Sequence, residues 1–452
     1  MTRRSLSSVL TRPRLVMLAL VMVAVVVRWQ FVAVETGDYR AFLDPWYAHL
    51  AQNGGFAALK DSFSNYNTPY LVLLAAMTYL PIPQLVGIKL ISVVFDVALA
   101  GFAYKIITQV RPGARWLPVI AFGAVLMLPT VVLNSSAWAQ CDAIYATFCL
   151  ASIYFLVSKR PWLACAMFGL AFAFKLQAVF FLPALVAILI INRHRIAALL
   201  AVPAAFLAAL LPALIAGRGL LSQLSVYPAQ ITNSSGAVGG TVGGGAARAG
   251  GGGGMPGGGG GMRGGGGGGM PGGGNGGGGG FSSTGGHSFT YNAPTPYAWL
   301  PADASTMWKY LGLGLAAAVA LAFGIWLLSR RRELSSGEIV LVAAASVLVI
   351  PILLPEMHER YLYLAEVLAI VAAFVDRRFW IVAGALQVAS LSTYLTYIYN
   401  IETLSLEVAA VFGLGAAVVA AAILVLRLRR TPGPENRQRV GAESTHALEP
   451  AG

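Results

Sequence analysis

Apolar stretches long enough to cross a lipid bilayer recur along this chain from Leu15 to Val425, with only short polar loops between them. With 57% of its 452 residues hydrophobic and 11% charged, the chain has too little polar surface to cover several soluble cores. Soluble multidomain folds are excluded. The pattern predicts an all-α polytopic integral membrane protein with about twelve transmembrane helices. The expected spans are 15–34, 83–107, 116–133, 142–158, 162–174, 177–191, 196–215, 306–328, 337–353, 361–375, 378–399 and 405–426. Pro69 and Pro81 bound a further apolar stretch, 69–81, which is expected to be a re-entrant or interfacial helix, because one more crossing there would invert every later loop.

A net charge of +13 resembles the balance of a nucleic-acid binder until the basic residues are placed. With a cytosolic N-terminus, 21 of the 31 Lys and Arg residues fall on the cytosolic side, 7 on the exterior and 3 within spans. This positive-inside bias accounts for the charge, so no nucleic-acid partner is expected and both termini are read as cytosolic. The first span has a basic head like a signal peptide. It carries Arg28 and Trp29 and lacks a small-residue cleavage site, and is read as a retained anchor. Cys141, Cys149 and Cys165 are too scattered for a disulfide framework or metal site and read as small packing residues.

Four regions follow. Residues 1–235 form an N-terminal transmembrane module whose first exterior loop, 35–68, is expected to carry the chemistry. Residues 236–286 hold 32 of the 52 glycines and no carboxylate. They cannot bury a core and are expected to form a disordered exterior insertion. Residues 287–430 form a C-terminal transmembrane module, and 431–452 a disordered cytosolic tail.

Two exterior loops carry the informative side chains. Loop 35–68 holds Glu35, Asp38, Asp44 and Asp61 among several aromatics. It reads either as an amphipathic surface helix with an aromatic belt or as a general base held where it would meet a lipid-linked substrate. In 351–363, two prolines interrupt the apolar run and Met357-His358-Glu359-Arg360 stands where the next helix begins. His358 and Arg360 there either neutralise a phosphate beside free backbone N–H groups or anchor the helix at headgroup depth. Within the apolar spans, Asp96 and Lys89 require a partner or a wet cavity, because an unpaired charge at that depth costs roughly 3 kcal/mol or more. Lys175 lies between two short segments, and Asp142 follows an exterior loop, where it either caps the next helix or joins the chemistry.

Taken in order, several stretches resemble the C-type superfamily of membrane-embedded glycosyltransferases, above all the dolichyl-phosphate-glucose glucosyltransferases and bacterial proteins related to the GPI mannosyltransferases. They are TGDYRAFLDPW with SNYNTPYLVLL (Tyr66 within it), KLISVVFD ending at Asp96, WAQCDAIYATFCL with Gln140 and Asp142, AFKLQAVFFLPAL with Lys175, and MHERYLY. The resemblance covers about 35–192 and 350–366. It implies transfer of one hexose, mannose or glucose, from a polyprenyl-phosphate sugar, with inversion, to a glycan, lipid or protein acceptor on the exterior face of a bacterial plasma membrane. By motif position Asp38 is implied to be the general base, with Asp44 as its alternate. His358, Arg360 and Lys175 are implied to bind the donor phosphate, and Glu359, Asp142, Gln140, Tyr66 and Asp96 to support them. The reading calls for no metal or cofactor. A flippase for lipid-linked saccharides and a polysaccharide polymerase or ligase are the competing functions. An enzyme needs Asp38, His358 and Arg360 around one cavity, whereas a flippase needs a continuous polar path between leaflets.

Overall fold

A computed structural model describes residues 12–233, 289–301, 304–330 and 332–430. The glycine insertion 236–286 and the tail 431–452 lie outside the described residues. Helix α1 (Arg12–Trp29) runs into the loop that carries a π-helical turn (Tyr39–Leu43), α2 (Asp44–Gln52) and α3 (Thr68–Met77). Then come α4 (Gln84–Val110), α5 (Leu117–Leu126), α6 (Pro129–Val132), α7 (Asp142–Val157), α8 (Pro161–Phe174), α9 (Leu182–Ile191) and α10 (Ala201–Ile215). Two short helices, α11 (Leu220–Leu224) and α12 (Val226–Asn233), precede the undescribed stretch. Beyond it stand β1 (Thr290–Tyr291), α13 (Met307–Leu328), α14 (Ser336–Leu353), β2 (Met357–His358), α15 (Tyr363–Val375), α16 (Phe379–Tyr399) and α17 (Leu406–Arg430).

The chain is an all-α polytopic membrane protein, and each of the twelve expected spans has a helical counterpart. Among the described residues, six helices are long and apolar enough to cross a bilayer, or seven if the pair Leu117–Leu126 and Pro129–Ala137, bent by 48°, is one span. The twelve-crossing expectation thus holds for helices, while length and composition license six or seven crossings. The difference lies in several short helices: α7, α8 and α15 have 16, 14 and 13 residues. At 1.5 Å per residue these reach about 20–24 Å, less than the roughly 30 Å of hydrocarbon. α3 has 10 residues, about 15 Å, and does not cross. The Tyr47 hydroxyl of α2 donates to the Met77 carbonyl at its C-terminal end (3.2 Å), which holds it against the loop.

The two halves of the chain pack into one bundle, with α14 against α7, α15 against α5 and α16 against α6. α14 and α15 are buried over most of their surfaces. α10 and α13 show most of theirs, the arrangement expected of lipid-facing helices in an apolar solvent.

Both buried charges that the sequence leaves unpaired have partners. Arg28 of α1 donates through Nε (3.0 Å) and Nη2 (2.9 Å) to Asp96 Oδ2 of α4, and through Nη2 to the Leu126 carbonyl (2.8 Å). Ser135 Oγ donates to the same Oδ2 (2.6 Å). Lys89 donates to the carbonyls of Phe31 (2.8 Å), Val32 (3.1 Å) and Val34 (2.6 Å), capping the C-terminal exit of α1 three residues before Gly37. These ties fix the path by which the loop leaves α1. They also occupy the two charges that a transport pathway through this region would use.

Asp96→Leu strands Arg28 in the bundle and should cost about 3–5 kcal/mol of stability. The double variant Arg28→Met/Asp96→Leu should recover most of that loss. Thermal unfolding in detergent measures both, and a single variant no less stable than the double would contradict the pairing.

Candidate active site

Asp38 stands at the start of a helical segment whose first turn is set by Thr36. The Thr36 hydroxyl accepts from the Tyr39 backbone N–H (3.3 Å) and donates to the Trp138 carbonyl (3.3 Å). That second bond joins the loop to the segment between α6 and α7. There Trp138 and Gln140 flank Ala139, which holds φ at 63°, a left-handed conformation that costs a residue with a Cβ about 1–2 kcal/mol. The turn brings the side chains on either side of Ala139 to one target. Trp138 Nε1 donates to Asp38 Oδ2 (3.0 Å), and Gln140 Nε2 donates to the same oxygen (2.8 Å).

Two further donors arrive from the other half of the chain. Arg360 Nη1 donates to Asp38 Oδ2 (3.0 Å), an ion pair between side chains only 15% and 18% exposed. The Tyr397 hydroxyl of α16 donates to Oδ1 (2.6 Å). Oδ2 thus accepts three hydrogen bonds and Oδ1 one, so Oδ1 keeps a lone pair for an incoming proton donor. Burial alone would raise the Asp38 pKa. Burial is the largest single influence, but Arg360, Tyr397, Trp138 and His358 together outweigh it, and the carboxyl sits below its ordinary range. Trp138 is stacked on Tyr397 (centroids 4.4 Å apart) and lies under the Arg360 guanidinium (5.4 Å), so the donors also hold one another.

A second ion pair lies beside the first. Lys175, in extended backbone at the end of α8, donates to Asp142 Oδ1 at the start of α7 (2.5 Å). Asn134 Nδ2 donates to Asp142 Oδ2 (2.9 Å), which leaves Asp142 paired and not a free helix cap. The Lys175 ammonium is 5.9 Å from the centre of the Tyr66 ring, and burial keeps the Tyr66 phenol protonated. Lys175 has one hydrogen-bond acceptor among the described residues and three N–H groups to offer. Buried Arg360 Nε and buried Gln177 Oε1 have no partner among the described residues. Unsatisfied donors on two cations in one buried polar cluster are what an anion would engage.

The loop bearing Arg360 is held by a short parallel pairing, Thr290 against Met357 and Tyr291 against His358. Glu356 and Asn292 at its edges are both left-handed, with φ of 59° and 60°. His358 is stacked on Tyr291 (4.8 Å) and packs against Tyr361 (5.1 Å). Burial, together with the Arg360 charge, pushes its pKa down to about 3. With no anion bound, His358 is thus held in its neutral, hydrogen-bonding form. Glu359 is buried 3.9 Å from Arg360, and burial pushes its pKa up to about 7.

The structure thus brings together Asp38, Gln140, Asp142, Lys175, Tyr66, His358, Glu359 and Arg360. It does not bring Asp44 or Asp96. Asp44 is exposed and accepts from Gln84 Nε2 (2.7 Å), six residues along the loop helix from Asp38. Asp96 is taken up by Arg28 and Ser135. Gln177 lies in the quoted stretch AFKLQAVFFLPAL beside Lys175, whereas Trp138, Asn134 and Tyr397 are additions that the sequence reading lacks. Trp138 lies in the quoted stretch WAQCDAIYATFCL, whereas Tyr397 is one of three tyrosines near the end of an apolar helix, with nothing local to mark it.

The arrangement can accept a proton at Asp38 Oδ1 and neutralise an anion with Arg360 and Lys175. No curated protein matches the chain. Residues 63–248, which include Tyr66, Gln140, Asp142, Lys175 and Gln177, match the model of Glycosyltransferase family 87, and the match supports a membrane glycosyltransferase.

Proposed function

We propose that this membrane glycosyltransferase moves a single hexose, mannose or glucose, from a polyprenyl-phosphate sugar to an acceptor hydroxyl on the exterior side. The acceptor is a glycan, a lipid or a protein. The observation that carries the reading is the contact between Asp38 and Arg360, 322 residues apart in the chain, beside the buried Lys175–Asp142 pair.

The acceptor hydroxyl hydrogen-bonds to Asp38 Oδ1, and its oxygen attacks the anomeric carbon from the face opposite the phosphate. The new C–O bond forms as the bond to phosphate breaks, the electron pair leaves on the phosphate oxygen, and the hydroxyl proton passes to Asp38. One displacement inverts the anomeric configuration and needs no second carboxylate as nucleophile. Arg360 and Lys175 stabilise the charge on the departing phosphate, with neutral His358 as a further hydrogen-bonding group.

Arg360 has a double part in this scheme. It is the largest of the influences that lower the Asp38 pKa. A phosphate drawn to Arg360 shares its charge, so Asp38 becomes more basic when the donor is bound, closer to what a general base requires. The proximity of Asp38 to Arg360 favours an enzyme over a flippase, and the occupied pairs at Lys89 and Asp96 support the same choice. The exterior placement rests on the positive-inside distribution of the basic residues.

Asp38→Asn keeps the shape and loses the proton acceptor, so transfer should fall to background while the protein folds and binds donor. A panel of polyprenyl-phosphate sugars with purified protein measures this, and near-normal turnover would remove Asp38 from the role. Arg360→Ala should lower kcat/KM for donor by about 10- to 100-fold per folded molecule, and Arg360→Lys by less, because lysine keeps the charge and loses only the fork. The pH profile gives an independent readout. Wild-type kcat/KM, which reports the free enzyme, should stay level as pH falls until pH is below the ordinary carboxylate range, where Asp38 takes up its proton. Arg360→Ala and Tyr397→Phe each remove a lowering influence, and both should move that acid limb upward. An unmoved limb would mean that another group titrates.

A further inference from the structure

Away from the site, at the end of the bundle where α4 and α15 finish, a groove of about 520 Å³ runs between the ends of α4 and α7 and the start of α14. Its wall includes Tyr154, its floor the Gln109–Ser158 hydrogen bond (2.8 Å), and its rim Lys159 and Arg160. No carboxylate lines it. Both rim cations are exposed, and neither side chain has a hydrogen bond or ion pair among the described residues. Basic residues at this end are expected from the positive-inside rule, but that rule does not account for where Lys159 stands.

Lys159 has φ of 57°. Its backbone N–H bonds to the Leu156 carbonyl (3.0 Å), and that of Arg160 to the Phe155 carbonyl (2.8 Å), closing α7 on a left-handed residue. Glycine is the relaxed residue at such a position, and any side chain there is strained. The strained backbone holds a lysine at the lip of the groove. Trp162, three residues on, is 47% exposed, and Trp116, before α5, is 43% exposed. Exposed tryptophans on an apolar bundle mark headgroup depth. A neighbouring groove of about 490 Å³, lined by Arg14 and Arg115, shares Thr108 with the first.

We propose that the groove between α4, α7 and α14 binds a phosphate diester headgroup, that of an anionic phospholipid in the leaflet at the basic end, through Lys159 and Arg160. The site is independent of the sugar-transfer reading. Its depth at the bilayer surface and its mixed wall of tyrosine, threonine and amide fit a headgroup.

The test uses full-length protein in detergent, with phosphatidylglycerol, phosphatidylcholine or inorganic phosphate added, and reads both thermal unfolding and quenching of tryptophan fluorescence by brominated lipid. Phosphatidylglycerol should raise the melting temperature and quench. Phosphatidylcholine and inorganic phosphate should do neither at the same concentration. Lys159→Gly relaxes the backbone, so the lipid-free protein should be at least as stable as the original. It should nonetheless bind phosphatidylglycerol several-fold more weakly, and with Arg160→Gln added the loss should reach about ten-fold or more. Unchanged phosphatidylglycerol binding in the double variant overturns the proposal. So does equal stabilisation by phosphatidylcholine, and equal stabilisation by inorganic phosphate would assign the groove to a soluble anion instead of a lipid.

Discussion

One carboxylate organises the polar centre of this bundle. Asp38 gathers donors from the segment before α7, from the loop before α15 and from the far end of α16, and no two of these are adjacent in sequence. A buried carboxylate is costly unless it is paired and hydrogen-bonded, and here each donor is also held by another member of the cluster. Trp138 is pinned between Tyr394 and Tyr397, and the Arg360 guanidinium lies over its ring. The loop that brings Asp38 in is itself tied down by Lys89 at the exit of α1. Position and ionisation of the carboxylate thus come from the same contacts.

The short helices make sense in that light. α7 begins at Asp142, α8 ends beside Lys175, and α15 begins just after Arg360. Each stops at the polar cluster, which leaves irregular backbone at depth only where protein surrounds it. Three of the six left-handed non-glycine positions among the described residues stand at the same place. Ala139, Asn292 and Glu356 all have left-handed backbone, and all lie within three residues of a side chain in the cluster or its supporting strand pair. Strained positions persist where surrounding contacts over-determine them, and the contacts that do so here are those that aim Trp138, Gln140 and the Arg360 loop.

Much of this was readable from residue order. Helix positions follow from apolar runs, and the buried charges at Asp96 and Lys89 announce that partners exist. The identity of those partners was not readable. Arg28 looks like an interfacial flanking residue until α1 and α4 are packed together, and Lys89 satisfies carbonyls, which leave no mark in a sequence. Asp38 and Arg360 stand out through motif context, whereas Tyr397 is one tyrosine among several on an apolar helix, picked out only by tertiary packing. His358 shows the opposite case. Its type suggests a cation at a phosphate, but with no anion bound, burial between two tyrosines beside Arg360 keeps it neutral. Asp44 stands apart from the cluster for a geometric reason, since six residues of helix carry it away to an exposed contact with Gln84.

In the proposed reaction the donor phosphate lies between Arg360 and Lys175, with the reacting carbon facing Asp38. An experimental structure of the Asp38→Asn variant in a lipid nanodisc with a polyprenyl-phosphate hexose bound tests it most directly. The account predicts phosphate oxygens within hydrogen-bonding distance of the Arg360 guanidinium and the Lys175 ammonium, and the anomeric carbon turned toward residue 38. A donor seated elsewhere, with the Arg360 and Lys175 groups undisturbed and residue 38 remote from the anomeric carbon, would contradict it.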